Sequence, residues 1–204
     1  MKKYFAALTT MALIGVAPFA LAASSTDLTV SGVITPAACT PTLSNGGKID
    51  LGSISYNKLN QDQYTLVGDN EITLTINCDG STGFAINAID NGKGAPADGT
   101  FGLGLTSEGK PLGFFLPVIQ RVTADTVVVD PIESNDDGTT WKKTEAAKAG
   151  YWFSAATTGS TTPIDAQVVT VDFKVGTYIV RADQLKVDGD LDVEGSATFE
   201  VLYL

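Results

Sequence analysis

Apolar and polar residues alternate along most of this chain with a period of two, and short runs of glycine, asparagine and aspartate separate the alternating segments. This pattern is typical of half-buried antiparallel strands joined by turns. In residues 71–78, one face of the predicted strand is entirely apolar. That face carries Ile72, Leu74, Ile76 and Cys78. The pattern predicts an all-β protein, and we expect an immunoglobulin-like β-sandwich of about seven strands.

The last segment has the longest alternation in the chain. Its apolar face carries Leu191, Val193, Gly195, Ala197, Phe199, Val201 and Tyr203. Acidic and hydroxyl side chains occupy the positions between them, which predicts one strand over residues 190–203 with a solvated face. Upstream, residues 168–173 and 176–180 are predicted as two strands, and residues 142–149 as a single helical turn that ends at Gly150.

The first residues have the pattern of a secretory signal peptide. Lys2 and Lys3 precede an uncharged apolar run, and Ala20-Leu21-Ala22 follows it. We expect residues 1–22 to be removed by cleavage between Ala22 and Ala23. A membrane anchor is the alternative, but the uncharged run is short for a spanning helix. The mature protein is therefore expected to be exported and not stably inserted in a membrane.

Charge and cysteine content narrow the classes of function. The formal net charge is −10, so nucleic acid and anionic lipid are poor partners. The two cysteines, Cys39 and Cys78, both follow the predicted cleavage site, and an even pair in an oxidising compartment predicts a disulfide. A metal site is the competing interpretation. It lacks ligands, because the chain contains no histidine.

The absence of histidine also bears on catalysis. It removes the commonest general base and every Ser-His or Cys-His arrangement. Paired carboxylates could still act as acid and base, but no spacing singles out a pair. We therefore expect no enzymatic activity, no catalytic residue, no metal and no cofactor.

Two segments and the cysteine pair carry a resemblance to a known family. Residues 27–39 read Asp-Leu-Thr-Val-Ser-Gly-Val-Ile-Thr-Pro-Ala-Ala-Cys, which resembles the N-terminal extension of chaperone-usher fimbrial subunits. Residues 197–204 resemble the last strand of those pilins, with Tyr203 next to last. Cys39-Thr40-Pro41 and Phe101-Gly102-Leu103-Gly104 are similar to the less characterised branch of exported, pilin-like proteins.

The resemblance implies an incomplete sandwich that lacks its last strand. Residues 23–38 would form a donor-strand extension and residues 39–204 the sandwich domain. A pilin groove is filled first by a strand of a periplasmic chaperone and then, at the outer-membrane usher, by the extension of the next subunit, a case of strand addition to a sheet edge. The expected partners are therefore that chaperone, the usher and neighbouring fimbrial subunits, and the expected location is the periplasm in transit and then the fimbrium at the cell surface.

The resemblance also assigns roles to single residues. The donor strand would insert Leu28, Val30 and Ile34, with Gly32 where the groove is shallow. The carboxyl-terminal strand would contact the chaperone through Phe199, Val201, Tyr203 and Leu204. The expected function is a structural subunit of a fimbria that polymerises by donor-strand exchange and contributes to cell adhesion.

A binding module is the alternative function. It would be a non-polymerising periplasmic protein or a tip-located one, and it would recognise carbohydrate through aromatic side chains. The candidates are Trp141, Tyr151, Trp152 and Phe153. Such residues more often belong to a core or cover the end of a sandwich.

Overall fold

The computed structural model describes Thr26 and residues 28–32, 38–185 and 189–204. The chain divides into two units, Met1–Ile34 and Thr35–Leu204. In the first unit, the described residues 28–32 form no strand, and Leu28 and Val30 are 90% and 87% exposed. The predicted signal peptide and its cleavage site, Ala22 and Ala23, lie outside the described residues, as does Ile34.

The second unit is built from strands. The described residues contain nine, joined by irregular segments, a turn at Ser44–Gly47 and two short 3-10 turns at Tyr56–Lys58 and Ala182–Gln184. The strands are β1 (Cys39–Leu43), β2 (Thr65–Asp90), β3 (Phe101–Gly102), β4 (Gly113–Ala124), β5 (Val127–Ser134), β6 (Lys142–Lys143), β7 (Trp152–Ala156), β8 (Asp165–Ile179) and β9 (Ala197–Tyr203). The all-β fold predicted from the period-two pattern is confirmed.

The strands form two packed antiparallel sheets that share β2. One sheet has the order β1-β2-β8-β4-β3, and the other has the order β9-β2-β7-β5-β6. β2 serves both because it is 26 residues long and its pairing with β8 shifts between Asn77 and Thr82, where the strand passes from one sheet to the other. A short pairing of β4 with β5 also joins the sheets. The apolar core lies between them.

The inward face of β2 forms the centre of this core. Ile72, Leu74, Ile76 and Cys78 are all buried, as the alternation predicted. They face the inward residues of β8, because directly opposed residues of an antiparallel pair share a face. Ile72 is opposite Phe173, and Leu74 is opposite Val171.

β8 is one continuous strand, although two were predicted. Gly176, the first residue of the second predicted strand, pairs with Asp69 on one side and Leu116 on the other, so the ladder continues through the expected gap. The ring of Tyr178 lies over this glycine, since a Cβ built there would be 3.0 Å from the ring. Glycine at this position leaves room for the ring of Tyr178, two residues further along the same strand.

The predicted helical turn over residues 142–149 is wrong. Lys142 and Lys143 form β6, and the backbone of Ala146 bridges to Val118 in β4. The amides of Ala147 and Ile119 donate to Pro117 and Glu145 carbonyls across the same contact. Pairing with β4 and β5 replaces the local hydrogen bonds that a helix would have made.

A buried carboxylate holds this segment against β5. Glu133 is 1% exposed and accepts hydrogen bonds from Thr144 Oγ1 at 2.7 Å and Lys148 Nζ at 2.8 Å, with Lys142 Nζ at 3.4 Å. Burial raises the pKa of Glu133, but these donors and their charges outweigh burial, so the pKa lies below its ordinary value. The ionised form is therefore the one that the fold stabilises.

The cysteines form the predicted disulfide. Cys39 and Cys78 are directly opposed in the β1–β2 ladder, so the bond ties the first strand of the body to the longest one. A sequence separation of 39 residues implies that the bond stabilises the fold by about 4 kcal/mol if loop entropy dominates.

Reduction of the disulfide is expected to lower the free energy of unfolding by up to about 4 kcal/mol, because the unfolded chain regains its loop entropy. The urea midpoint should fall accordingly. Urea titrations of oxidised and reduced protein, followed by tryptophan fluorescence, measure the difference. A Cys39→Ala/Cys78→Ala variant serves as control, since reductant has no bond to break in it. Superimposed curves for oxidised and reduced wild type would contradict the expectation.

Glu133→Gln is expected to destabilise the protein at pH 7 by about 1–3 kcal/mol, because Lys148 and Lys142 lose a buried charged partner. The wild-type contribution is complete above the unfolded-state pKa of glutamate and disappears as the pH falls through the lower folded-state pKa. The two proteins should therefore converge in stability in acid. Urea unfolding between pH 7 and pH 3 tests this, and a difference that stays constant over that range would be inconsistent with the ionised pair.

Candidate functional site

The first and last strands of the body lie along the same edge of β2. β1 pairs with residues 74–78, and β9 pairs with residues 84–90. Both are antiparallel to β2, so they run in the same direction and the end of β9 meets the start of β1. The meeting point is a hydrogen bond of 2.9 Å, in which the Cys39 amide donates to the Tyr203 hydroxyl. Beyond it the two strands belong to different sheets and diverge.

β1 ends early because its own sequence turns it off the sheet. The Ser44 hydroxyl accepts a hydrogen bond from the Thr73 amide at 2.9 Å, in place of a further ladder bond. Asn45, Gly46 and Gly47 then all adopt left-handed φ values of 53°, 62° and 70°. The chain leaves β2 at this turn, so no strand of the described chain covers the β2 edge next to Ile72.

A groove of about 310 Å³ opens where β1 and β9 diverge. One rim is formed by residues 43–51 after β1, and the other by residues 193–199 before and within β9. The floor comes from the inward faces of β2, β4 and β8. Its lining includes Leu43, Ile49, Leu51, Ile72, Phe115, Pro117, Phe173, Val175, Thr177, Val193, Ala197 and Phe199.

The groove is an unfinished part of the main core. Phe199 stacks on Phe173 with ring centroids 5.8 Å apart and meets Phe153 edge-on. Phe199, Ala197 and Val201 pack against the core but remain half-buried, since nothing in the described chain lies over them. The surface that remains open here is the interior of the sandwich.

Both strands beside the groove have one free edge. Within the described residues, β9 and β1 each pair with β2 alone. A strand with one paired edge presents a row of unpaired N–H and C=O groups on the other. The groove thus combines apolar surface with backbone groups that are ready to form a ladder.

The predicted strand over residues 190–203 is confirmed only from Ala197 onward. Residues 189–196 form no ladder, although Leu191 and Val193 are half-buried and the acidic residues between them are exposed. Gly195 packs tightly on β3, because a Cβ there would be 2.8 Å from the Gly102 carbonyl. This contact holds the segment across the end of β3, off the path of a straight strand.

Of the four carboxyl-terminal residues predicted to contact a chaperone, only Phe199 lines the groove, and the others follow it toward the junction with β1. Phe199 and Val201 point into the core, whereas Tyr203 and Leu204 are 44% and 55% exposed. Tyr203 already has a partner in Cys39, and the Leu204 amide donates to the Gly83 carbonyl. The role of these four residues toward a chaperone stays a prediction.

Of the predicted donor residues, Leu28, Val30 and Gly32 are described and exposed, and Ile34 lies outside the described residues. Their insertion into a partner also stays a prediction. The sequence alone missed the rim formed by Ile49 and Leu51. These residues lie in an irregular segment without periodicity, so no pattern could have identified them.

The structure places the aromatic residues considered as a carbohydrate site as follows, and their role stays a prediction. Phe153 is 3% exposed and belongs to the core. Trp141 and Trp152 pack around Gly138, and the Trp141 indole donates to the Gly138 carbonyl. The Tyr151 hydroxyl bonds to Asp98 at 2.7 Å.

Two further findings bear on the class of protein. No helix in the described ranges is both long and apolar enough to cross a membrane. The disulfide is the state expected of an exported protein in an oxidising compartment. The fold and the site therefore define a disulfide-linked, two-sheet β-protein whose core is open between two edge strands.

The chain is similar to a protein family and to two curated proteins whose names state no activity. Residues 28–99 match the family model described as "Protein of unknown function (DUF1120)". The chain is 29% identical to the "Uncharacterized protein YhcF" of Escherichia coli (strain K12), over 93% of this chain and 96% of the relative. It is 28% identical to "Protein GltF" of the same organism, over 95% of each chain. The residues matched by the family model include strands β1 and β2.

Tyr203→Phe is expected to destabilise the protein by about 0.5–1.5 kcal/mol, because the Cys39 amide loses its acceptor at the point where β1 meets β9. Urea unfolding at pH 7 provides the measurement. Tyr64→Phe is a suitable control, since Tyr64 is 46% exposed and its hydroxyl makes no hydrogen bond to any residue that the structure describes. Equal midpoints for Tyr203→Phe and wild type would show that this bond does not stabilise the junction.

Proposed function

We propose that this protein is a structural subunit of a chaperone-usher fimbria. In this proposal its body accepts a β-strand from another polypeptide, its own N-terminal extension fills the groove of a neighbouring subunit, and the resulting fibre contributes to cell adhesion. The single observation that carries the proposal is the groove between β1 and β9, where apolar core and two unpaired strand edges are open together.

The groove favours a strand over a compact small molecule. It lies between the chain segments that follow β1 and precede β9, and its apolar lining includes alternate residues such as Phe173 and Val175 on β8 together with Ile72 on β2. A strand presents alternate side chains at the same spacing and carries N–H and C=O groups for the free edges. It would bury Phe199 and complete the hydrogen bonding of β9 in one step.

The extension supports the second half of the proposal. It presents Leu28 and Val30 to solvent at 90% and 87% exposure, which is unusual for large apolar residues. Their alternation with Thr29 and Ser31 is the pattern that an inserted strand needs. Three apolar side chains do not by themselves offset the entropy of ordering such a segment, so insertion depends on backbone pairing as well.

The partners follow from the same need. An open groove with free edges is prone to aggregation, so a periplasmic chaperone would cover it during transit. An outer-membrane usher would then exchange the chaperone strand for the extension of the next subunit. The mature protein would reside in the periplasm first and in the fimbrium at the bacterial surface afterwards.

The test is polymer formation by the full chain, exported to the periplasm with its cognate chaperone and then released from it. Wild type is expected to form ladders on gels of unheated samples that collapse on boiling. Val30→Asp should abolish them, because a carboxylate would enter the apolar groove. Thr29→Asp is the matched control, since it adds the same charge one residue away on the opposite face. Equal ladders from Val30→Asp and wild type would refute the donor role.

Competition tests the acceptor role separately. An excess of a synthetic peptide of residues 24–36 should suppress the wild-type ladders by filling the groove, and the same peptide with Val30→Asp should not. Suppression by both peptides, or by neither, would argue against strand insertion into this groove.

A further inference from the structure

The row of β2 residues that contributes Ile72 to the groove lining carries one polar residue, Asn70, which lies next to the lining rather than in it. Gly68, Asn70, Ile72 and Leu74 follow one another on the inward face. Asn70 is opposite Val175 in the ladder, while Gly68 is opposite Thr177 and Ile72 is opposite Phe173. The three opposing residues on β8 all line the groove. Asn70 therefore shares a face with the groove floor.

The amide oxygen of Asn70 has no partner. Its Oδ1 is buried and accepts no hydrogen bond from any described residue, and it is the one buried side-chain atom of the described chain in this condition. A Cβ built on Gly68 would be 3.2 Å from this oxygen and 2.5 Å from Leu51 Cδ2. The oxygen thus lies beside Leu51, which forms the rim of the groove.

An unpaired buried acceptor costs stability, and folded proteins rarely keep one without a reason. An apolar residue at position 70 would have continued the row of Ile72 and Leu74 without this cost. The orphan oxygen is next to the groove and in the same face as its lining. A donor that arrives with the occupant of the groove would satisfy it.

We infer that Asn70 is a strand-binding residue beside the groove. Its Oδ1 accepts a hydrogen bond from a backbone N–H group of the inserted strand. The occupant is the extension of a second copy of this chain, around residues 28–34, whose exposed alternating segment fits the apolar row beside Asn70. This inference rests on the proposed function and adds to it one polar contact with the inserted strand.

A single polar contact of this kind adds affinity without setting the register. A strand that slides by two residues keeps its apolar side chains in the groove, because the side-chain period is two. It also brings an equivalent backbone N–H to the same place, because the backbone of a strand has the same period.

The experiment measures binding of a fluorescent peptide of residues 24–36 to the full chain. The chain carries Val30→Asp so that its own extension does not compete. Asn70→Leu and Asn70→Ala are compared with Asn77→Leu, a matched control because Asn77 is on the same strand but exposed on the outward face. Fluorescence anisotropy gives the Kd, and thermal unfolding of the peptide-free proteins reports their stability.

Both Asn70 variants are expected to bind the peptide about five- to tenfold more weakly, since one net hydrogen bond is lost. Asn77→Leu should stay within about twofold of the parent on the same scale. Without peptide, Asn70→Leu should be no less stable than the parent, because the removed oxygen had no partner. Asn70→Ala removes the oxygen without adding bulk, so weaker binding in that variant is not a steric effect.

Unchanged or tighter binding by Asn70→Ala would overturn the inference and leave the proposed function intact, because the peptide would still occupy the groove. Failure of the peptide to bind the parent chain at all would overturn both. The two failures are therefore distinguishable in the same titration.

Discussion

The structure depends on one constraint: a single edge of β2 provides the backbone hydrogen bonds for both β1 and β9. β2 supports β1 along residues 74–78 and β9 along residues 84–90, and these two strands pair with nothing else in the described chain. Each therefore keeps one unpaired edge. Since β1 turns away at Ser44 while β9 belongs to the other sheet, the edges separate and the core between them stays open.

The disulfide and the Tyr203 hydroxyl hold β1 and β9 together at Cys39, where the two strands meet. Cys39 is bonded covalently to Cys78 and its amide donates to Tyr203, so the first and last strands meet at a single residue. The groove can open only beyond that junction. The groove is therefore closed at one end by the Cys39–Tyr203 hydrogen bond and the disulfide, and open at the other.

At the other edge of the β9-β2-β7-β5-β6 sheet, a buried carboxylate holds a neighbouring segment in place. Glu133 binds Thr144 and Lys148 and so holds residues 142–149 across the strands beside it. Buried ion pairs contribute little net stability compared with apolar packing, but they are costly to break.

The sequence by itself determined the elements with a strong period. The inward row Ile72, Leu74, Ile76 and Cys78, the all-β class and the cysteine pair could all be predicted, because alternation and cysteine pairing depend on local pattern and compartment. Tertiary structure decided the rest. Residues 142–149 lost their helical turn to pairing with β4 and β5, and residues 190–196 lost their strand to the close approach of Gly195 and Gly102. The groove joins segments near residues 49, 72, 175 and 197, and Asn70 is unpaired only because of what surrounds it, so neither could be predicted before distant parts of the chain were brought together.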